Sequence, residues 1–427
     1  MLYAYLISIN GLTFGSISLN DLIHRTLVGW GYTGTLSDMA ASFMTATAGG
    51  GLANYPRSLF SANEQGIWLD PSDFSTLFQD AAGTTPVTAL GQPVGLALDK
   101  RLGLALGPEL VTNGDFAAGA TGWTIVGNDA THIATFAGGT LRYQSDTTSP
   151  VLQISQPNKL TAGRFYRITT VCSSYTSGLL KCDGTNNPVI CSGTGTTVSY
   201  LLASSTTLSI NRNSANVDLT LDSISVREIA GNHAYQTTLA ARPTLQQDSN
   251  GLYYLSFDGT DDGMVTPSID FTGTDKMTVW AGVRKNSDAA AGLVVELSAA
   301  IGSNNGAFAA LAPASAAANA QYASKGTTQS SATPSGLTSP VTFVLCGQSS
   351  ISGPSVSARI NGVVAASNAF SQGTGTYGNY PLYIGRRGGT SLPFNGRIYQ
   401  LIVRGAASNA GQIAAGEAYV NAKTRAF

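Results

Sequence analysis

A chain of 427 residues is long enough for two or three domains, each able to bury a core of its own. Only 11% of its residues are charged, against roughly 25% in ordinary soluble chains, and the formal net charge is −1. That balance argues against nucleic acid or an anionic membrane as a partner held by charge, while a 43% apolar content argues against disorder; neutral ligands such as sugars, or other protein surfaces, remain.

The opening apolar stretch, Leu2 to Ile9, is too short to cross a bilayer and has neither a basic flank nor a small-residue cleavage site. Its composition suits a buried strand, not a signal peptide. Ser18-Leu19-Asn20-Asp21-Leu22 then recurs as Thr35-Leu36-Ser37-Asp38-Met39. Each copy sets a hydroxyl three places before a carboxylate, like a capping box with Asp in place of Glu, and predicts a short helix. Leu19, Leu22, Ile23 and Leu27 supply one apolar stripe; Met39, Phe43 and Met44 supply the other. Two helices of this size hold no core alone, so residues 1–57 are expected to dock on a neighbour.

Residues 58–106 read as a connector too apolar to stay solvated, with Trp68, Phe74, Leu77 and Phe78 among turn residues. Asp70-Pro71-Ser72-Asp73 predicts a turn or helix start. From about residue 107 the pattern is β. The run from Val217 to Glu228 alternates apolar and polar with the period of a half-buried strand, and short strands between turn clusters predict a jelly roll or sandwich over 107–229. A second sandwich is expected over 230–427. Its strands are Tyr253 to Phe257, Met277 to Val283, Val341 to Leu345, Ser357 to Ile360, Tyr383-Ile384 and Ile398 to Val403. Asn361-Gly362 between Ile360 and Val363 is the strongest hairpin signal in the chain. Ser408 to Lys423 reads as a helix capped by Ser408, packing through Ile413, Tyr419 and Val420. The fold class is thus mainly β, two consecutive β-sandwich domains after a small helical and irregular N-terminal segment.

Three stretches resemble known families. Asn113-Gly114-Asp115-Phe116, Gly122-Trp123 and Leu221-Asp222-Ser223-Ile224-Ser225-Val226 resemble the first and last strands of jelly-roll carbohydrate-binding modules. The resemblance implies a structural calcium near the terminal strands, held by a glutamate after the Phe and by the Asp of the last strand. Ala117 replaces that glutamate, which leaves Asp222. Leu255 to Asp262, Ile360-Asn361-Gly362, Tyr383-Ile384-Gly385 and Phe394-Asn395-Gly396-Arg397-Ile398 look like landmarks of a concanavalin A-like, laminin-G-type sandwich. The N-terminal repeat, with Gly66 to Asp73, Phe78-Gln79-Asp80 and Gly91 to Gly95, is similar to segments at the head of tailed-bacteriophage structural proteins, where they often precede the same two sandwich types.

No catalytic constellation stands out. His24, His132 and His233 lie in unrelated segments without a nucleophile motif, and each reads as structural. Glu296 is the sole glutamate between 229 and 416, too few for a glycosidase pair unless aspartates serve. Asp258, Asp261 and Asp262 read as a solvated strand end or Asx turn, with a structural calcium as the alternative. For a sugar, Tyr377, Tyr380, Arg386 and Arg387 are the best local group; the alternative is that Tyr383 and its neighbours pack a strand while Arg386 and Arg387 face water or another subunit. Cys172, Cys182, Cys191 and Cys346 read as free buried thiols, a Cys182–Cys191 bridge being conceivable.

The expectation is a non-enzymatic virion protein, assembled in the host cytoplasm and released by lysis. It is read as a tail-fibre or receptor-binding subunit that attaches to other virion proteins through residues 1–106 and presents lectin-like domains to host surface glycans. A homotrimer or other homo-oligomer is expected by analogy, with no nucleic-acid partner and no membrane insertion. A capsid-decorating or head-fibre protein is the first alternative, and a glycan-active enzyme with a binding module the second.

Overall fold

The computed structural model describes residues 55–213 and 215–427. The strand expected at Leu2 to Ile9 and the two capped helices lie outside these residues. Among the described residues no helix is long and apolar enough to cross a membrane. The fold is mainly β, as expected: four antiparallel sheets face one another in pairs.

One pair is the jelly roll. Its first sheet runs Val189–Cys191, Leu180–Cys182, Leu208–Arg212, Gln153–Gln156, Thr124–Val126. The second runs Gly195–Leu202, Phe165–Ser177, Val217–Glu228, Thr140–Ser145, His132–Ala137. Alternation builds the core. Along Val217–Glu228, Val217, Leu219 and Leu221 are buried, a register shift falls between Leu221 and Ser223, and burial resumes at Ile224 and Val226. The bulge resets the period-two phase so that both halves of the strand face one core. Asn113 to Phe116 form a turn and not the strand their resemblance implied. Asn113 and Phe116 have φ of 54° and 56°, and the Asn113 amide donates to the carbonyls of Gly119 and Thr121 at 2.8 and 3.0 Å. The turn seats Phe116 against Trp123, with ring centroids 5.9 Å apart, so Trp123 is core.

The second sandwich takes in the stretch expected to be a connector. Its first sheet has Thr244–Gln247, Tyr253–Asp258, Asn395–Arg404, Lys276–Lys285, Val341–Ser350, Ser355–Ile360 and Val363–Asn368 in that order, with Gly66–Leu69 added against Asn395–Arg404. Only glycine permits the approach at Gly66, where a β-carbon would lie 2.2 Å from the Val403 carbonyl oxygen. Leu77–Phe78 and Leu96–Ala97 begin the facing sheet. It continues through Ala234–Tyr235, Met264–Asp270, Asn379–Ile384, Leu293–Leu297, Ala307–Leu311, Gln321–Lys325 and Gln329–Ala332. Asn361 and Gly362, with φ of 52° and 82°, make the expected hairpin.

The last helix spans Ala410–Thr424. Its cap is Asn409, not Ser408: Asn409 and Gln412 exchange the bonds of a capping box, while Ser408 Oγ accepts from the Arg404 guanidinium at 2.9 Å. Tyr419 and Val420 bury against Trp68, Trp280 and Ile402.

The chain leaves for the jelly roll and returns from it beside a buried polar knot. Asp99 accepts from the backbone N–H groups of Trp68, Arg101 and Asn232, each at 2.9 Å. The Asp99 N–H donates to His233 Nδ1 at 2.9 Å. Because Nδ1 accepts, the imidazole is neutral with its proton on Nε2, toward the Ile229 carbonyl at 3.3 Å. Burial pulls its pKa down to about 4. Leu96, Leu98, Phe165, Tyr200, Leu202 and Ile229 form an apolar cluster between the sandwiches.

Candidate functional site

The four residues expected to hold a sugar do not form one surface. Tyr377 is fully buried between the sheets, its hydroxyl sharing hydrogen bonds of 2.6 Å with Ser324 Oγ and Ser349 Oγ, so it presents no face to a ligand. Tyr380 is half-buried and packs on the same core. Arg387 is drawn inward by Glu296, Nε to Oε2 2.6 Å. That glutamate is fully buried and also accepts from the Ile301 N–H at 2.5 Å. Burial raises its pKa against the opposing pull of Arg387. The apolar packing of this domain leaves its one mid-domain glutamate out of reach of solvent, paired with an arginine that is 23% exposed.

Arg386 instead joins the acidic turn, donating to the Asp261 carbonyl at 3.2 Å. There the carboxylates of Asp258, Asp261 and Asp262 gather within 4.8 Å of one another. Asp258 Oδ1 accepts from the N–H of Thr260 at 2.7 Å, an Asx turn as expected, and Asp262 Oδ2 accepts from the Asp258 N–H at 3.0 Å. Burial, then the charge of Asp258, pushes the Asp262 pKa up to about 7. The oxygen donors are of the kind that hard cations such as calcium take. Asp222 belongs to no such group among the described residues; it accepts a hydrogen bond from Ser173 Oγ across the sheet.

One polar surface was missed by sequence reasoning. In the first jelly-roll sheet Ile154, Leu180, Cys182, Leu208 and Ile210 fill the core, so alternation sends Gln153, Lys181, Ser209 and Asn211 to the opposite face. Asp183 ties them together. Its Oδ2 accepts from Ser209 Oγ at 2.8 Å and Asn211 Nδ2 at 2.7 Å, its Oδ1 from Lys181 Nζ at 3.0 Å, and Gln153 Nε2 donates onward to Ser209 Oγ at 2.7 Å. The Arg212 guanidinium closes one end against the Thr147 and Thr148 carbonyls at 3.2 and 3.4 Å. Val126, which pairs with Gln153 in register, and Val151, 54% and 45% exposed, make the other end apolar. Val126, Val151, Gln153, Lys181, Asn211, Arg212 and Asn213 line a groove of about 360 Å³, with Asp183 and Ser209 bracing it from beside. Gln153 Oε1 and Asn211 Oδ1 accept no hydrogen bond among the described residues, and Lys181 keeps N–H capacity beyond its bond to Asp183. Such a trough offers fixed donors and acceptors beside an apolar end, the complement of a hydroxyl-rich molecule. The period-two polar positions in Gln153-Ile154-Ser155 and Ser209-Ile210-Asn211 were its only trace in the sequence.

His132 is buried between Asp129 and Asp146, its ring nitrogens 2.9 and 3.1 Å from their carboxylates, and His233 sits in the junction knot; His24 lies outside the described residues. All four cysteines are free and buried.

Residues 258–414 match the Laminin_G_3 family, described as the concanavalin A-like lectin/glucanases superfamily. The second sandwich is therefore a lectin-like sandwich of concanavalin A type. Comparison with curated proteins finds no match. Among solved structures, the CBM40 module of Ruminococcus gnavus IT-sialidase is similar at 15% identity, covering 34% of this chain and 83% of that one, with a TM-score of 0.28. A heptameric SAP-like pentraxin from Limulus polyphemus aligns at 13% identity over 37% of this chain and 78% of its own, with a TM-score of 0.30. The binding domain of botulinum neurotoxin DC, in complex with SialylT, aligns at 9% identity over 44% and 48%, with a TM-score of 0.32.

Proposed function

We propose that this chain is a structural subunit of a tailed-phage particle that binds host surface glycans through its β-sandwiches without acting on them. The observation that carries the binding role is the jelly-roll groove, where Asp183 holds Gln153, Lys181, Ser209 and Asn211 as a fixed row that ends at Val126 and Val151. A row already ordered before the ligand arrives loses little side-chain entropy on binding. The concanavalin A-like match of residues 258–414 supports the same role, and the sealed Glu296–Arg387 pair supports binding without hydrolysis. The particle assignment rests on the resemblance of residues 1–106 to the head of phage structural proteins. Weak sites repeated on an oligomer gain avidity, which suits a groove lined by no aromatic ring.

Two experiments test this. Removing residues 1–54, which keeps the buried Tyr55 and Leu59 in place, is expected to abolish incorporation into particles while leaving the sandwiches folded. The purified full chain is expected to bind host surface polysaccharide and to block adsorption of particles. Incorporation of the truncated chain at wild-type levels would refute the attachment role, and release of reducing sugar by the purified chain would make it an enzyme.

A further inference from the structure

We infer that a second saccharide site, for a neutral pyranose, lies in the cleft between the Asp70–Phe74 loop, Tyr253 and the C-terminal helix. The inference goes beyond the jelly-roll groove, because it concerns the other sandwich and needs nothing from the first site.

The cleft has a volume of about 450 Å³, toward the small end of the about 300–1,000 Å³ typical of ligand pockets. Its apolar wall is Phe74 and Tyr253, both half-buried and packed edge to face with centroids 5.0 Å apart. Its polar wall is a lattice of four charges. Lys100 Nζ lies 2.7 Å from Asp73 Oδ2 and 3.1 Å from Asp70 Oδ2. Lys423 Nζ lies 2.6 Å from Ser72 Oγ and 3.3 Å from Asp70. Two cations and two anions cancel, so the cleft gives a charged ligand no net attraction. The lattice is held from below, since Asp70 is buried, also receives the Tyr419 hydroxyl at 3.4 Å, and has its pKa lowered, the lysines and Ser72 prevailing over burial. Tyr253 takes no part in the lattice, and its hydroxyl has no hydrogen-bond partner among the described residues. A half-buried ring held in place by Phe74 with its hydroxyl unspent, beside fixed ammonium and carboxylate groups, matches a sugar with one apolar face and hydroxyls around its rim.

The test labels the full chain with 3-fluorotyrosine and follows fluorine resonances during titration with three methyl β-glycosides, of glucose, galactose and N-acetylglucosamine. The Tyr253 signal is the one lost in Tyr253→Phe. It is expected to shift saturably with at least one glycoside, and to do so equally in the groove variant Lys181→Ala. Tyr253→Leu, which keeps an apolar group against Phe74, is expected to weaken glycoside binding by about tenfold, read by saturation transfer, while the circular dichroism spectrum stays that of the folded chain. A Tyr253 signal unmoved by all three glycosides overturns the inference, as does a shift that disappears with Lys181→Ala. Polysaccharide binding that persists while Tyr253 stays silent overturns this site alone and leaves the groove standing.

Discussion

The two sandwiches spend their polar residues differently. The jelly roll is one unbroken stretch of chain whose outer sheet face keeps amides, a lysine and a carboxylate at the surface as a groove. The second sandwich is discontinuous, with strands from before and after the jelly roll, and it seals ionisable groups as pairs: Glu296 with Arg387, and Lys285 with Asp288 at 2.5 Å. An open face with a preset hydrogen-bond row is available for recognition; a sealed pair is committed to the fold.

The largest expected effect comes from cutting the discontinuity. Residues 230–427 alone lack Gly66–Leu69, Leu77–Phe78 and Leu96–Ala97 and are expected not to melt cooperatively, whereas residues 107–229 alone are expected to do so. Cooperative melting of the first fragment, followed by circular dichroism, would break the comparison. Trp68→Ala asks the same question more gently. Trp68 is fully buried beside Tyr419, with centroids 6.1 Å apart, and its loss is expected to cost about 3–5 kcal/mol in denaturant unfolding.

Breaking a sealed pair comes next. Glu296→Ala strands the Arg387 guanidinium, which is 23% exposed and so partly rehydrates, and an effect of about 3 kcal/mol is expected. The same change at Asp183 touches the open face and is expected to cost less. Equal losses would mean that the groove row is as structural as the pair.

The pH dependence comes last, and it has opposite signs in two places. His233 in the junction titrates near about 4, below its usual 6.5. The unfolded chain therefore takes up this proton first, and stability falls as pH drops through that window. Asp262 titrates near about 7, above its usual 3.8, so the folded chain keeps a proton the unfolded chain has lost, and stability falls as pH rises between those values. Tm measured from about pH 4 to about pH 8 is expected to lose its acid decline in His233→Gln and its alkaline decline in Asp262→Asn. A profile unchanged by Asp262→Asn would remove the carboxylate repulsion inferred for that turn.

The sequence made strands legible where β-branched and aromatic residues alternate, as in Val217–Glu228, and the Asn361-Gly362 hairpin where backbone chemistry leaves few choices. It hid Ala307–Leu311 and Gln321–Lys325, whose alanines and serines carry little β preference and pair because partners lie on both sides. Trp68 was legible as apolar, but its strand partner lies over three hundred residues away, beyond local pattern. The sugar-site reading of Tyr377 failed because a tyrosine in a glycine-rich loop looks exposed, while its hydroxyl is satisfied inside by two serines. The groove was illegible because its residues come from strands far apart in sequence, and only the sheet order makes them neighbours.

Binding of the full chain to immobilised bacterial surface polysaccharides, compared with a Lys181→Ala/Asn211→Ala double variant of unchanged Tm, tests the central claim most directly. The groove account predicts binding by the wild type and a loss of about tenfold or more in the variant. Wild-type affinity in the variant, or no binding by either protein, would contradict it.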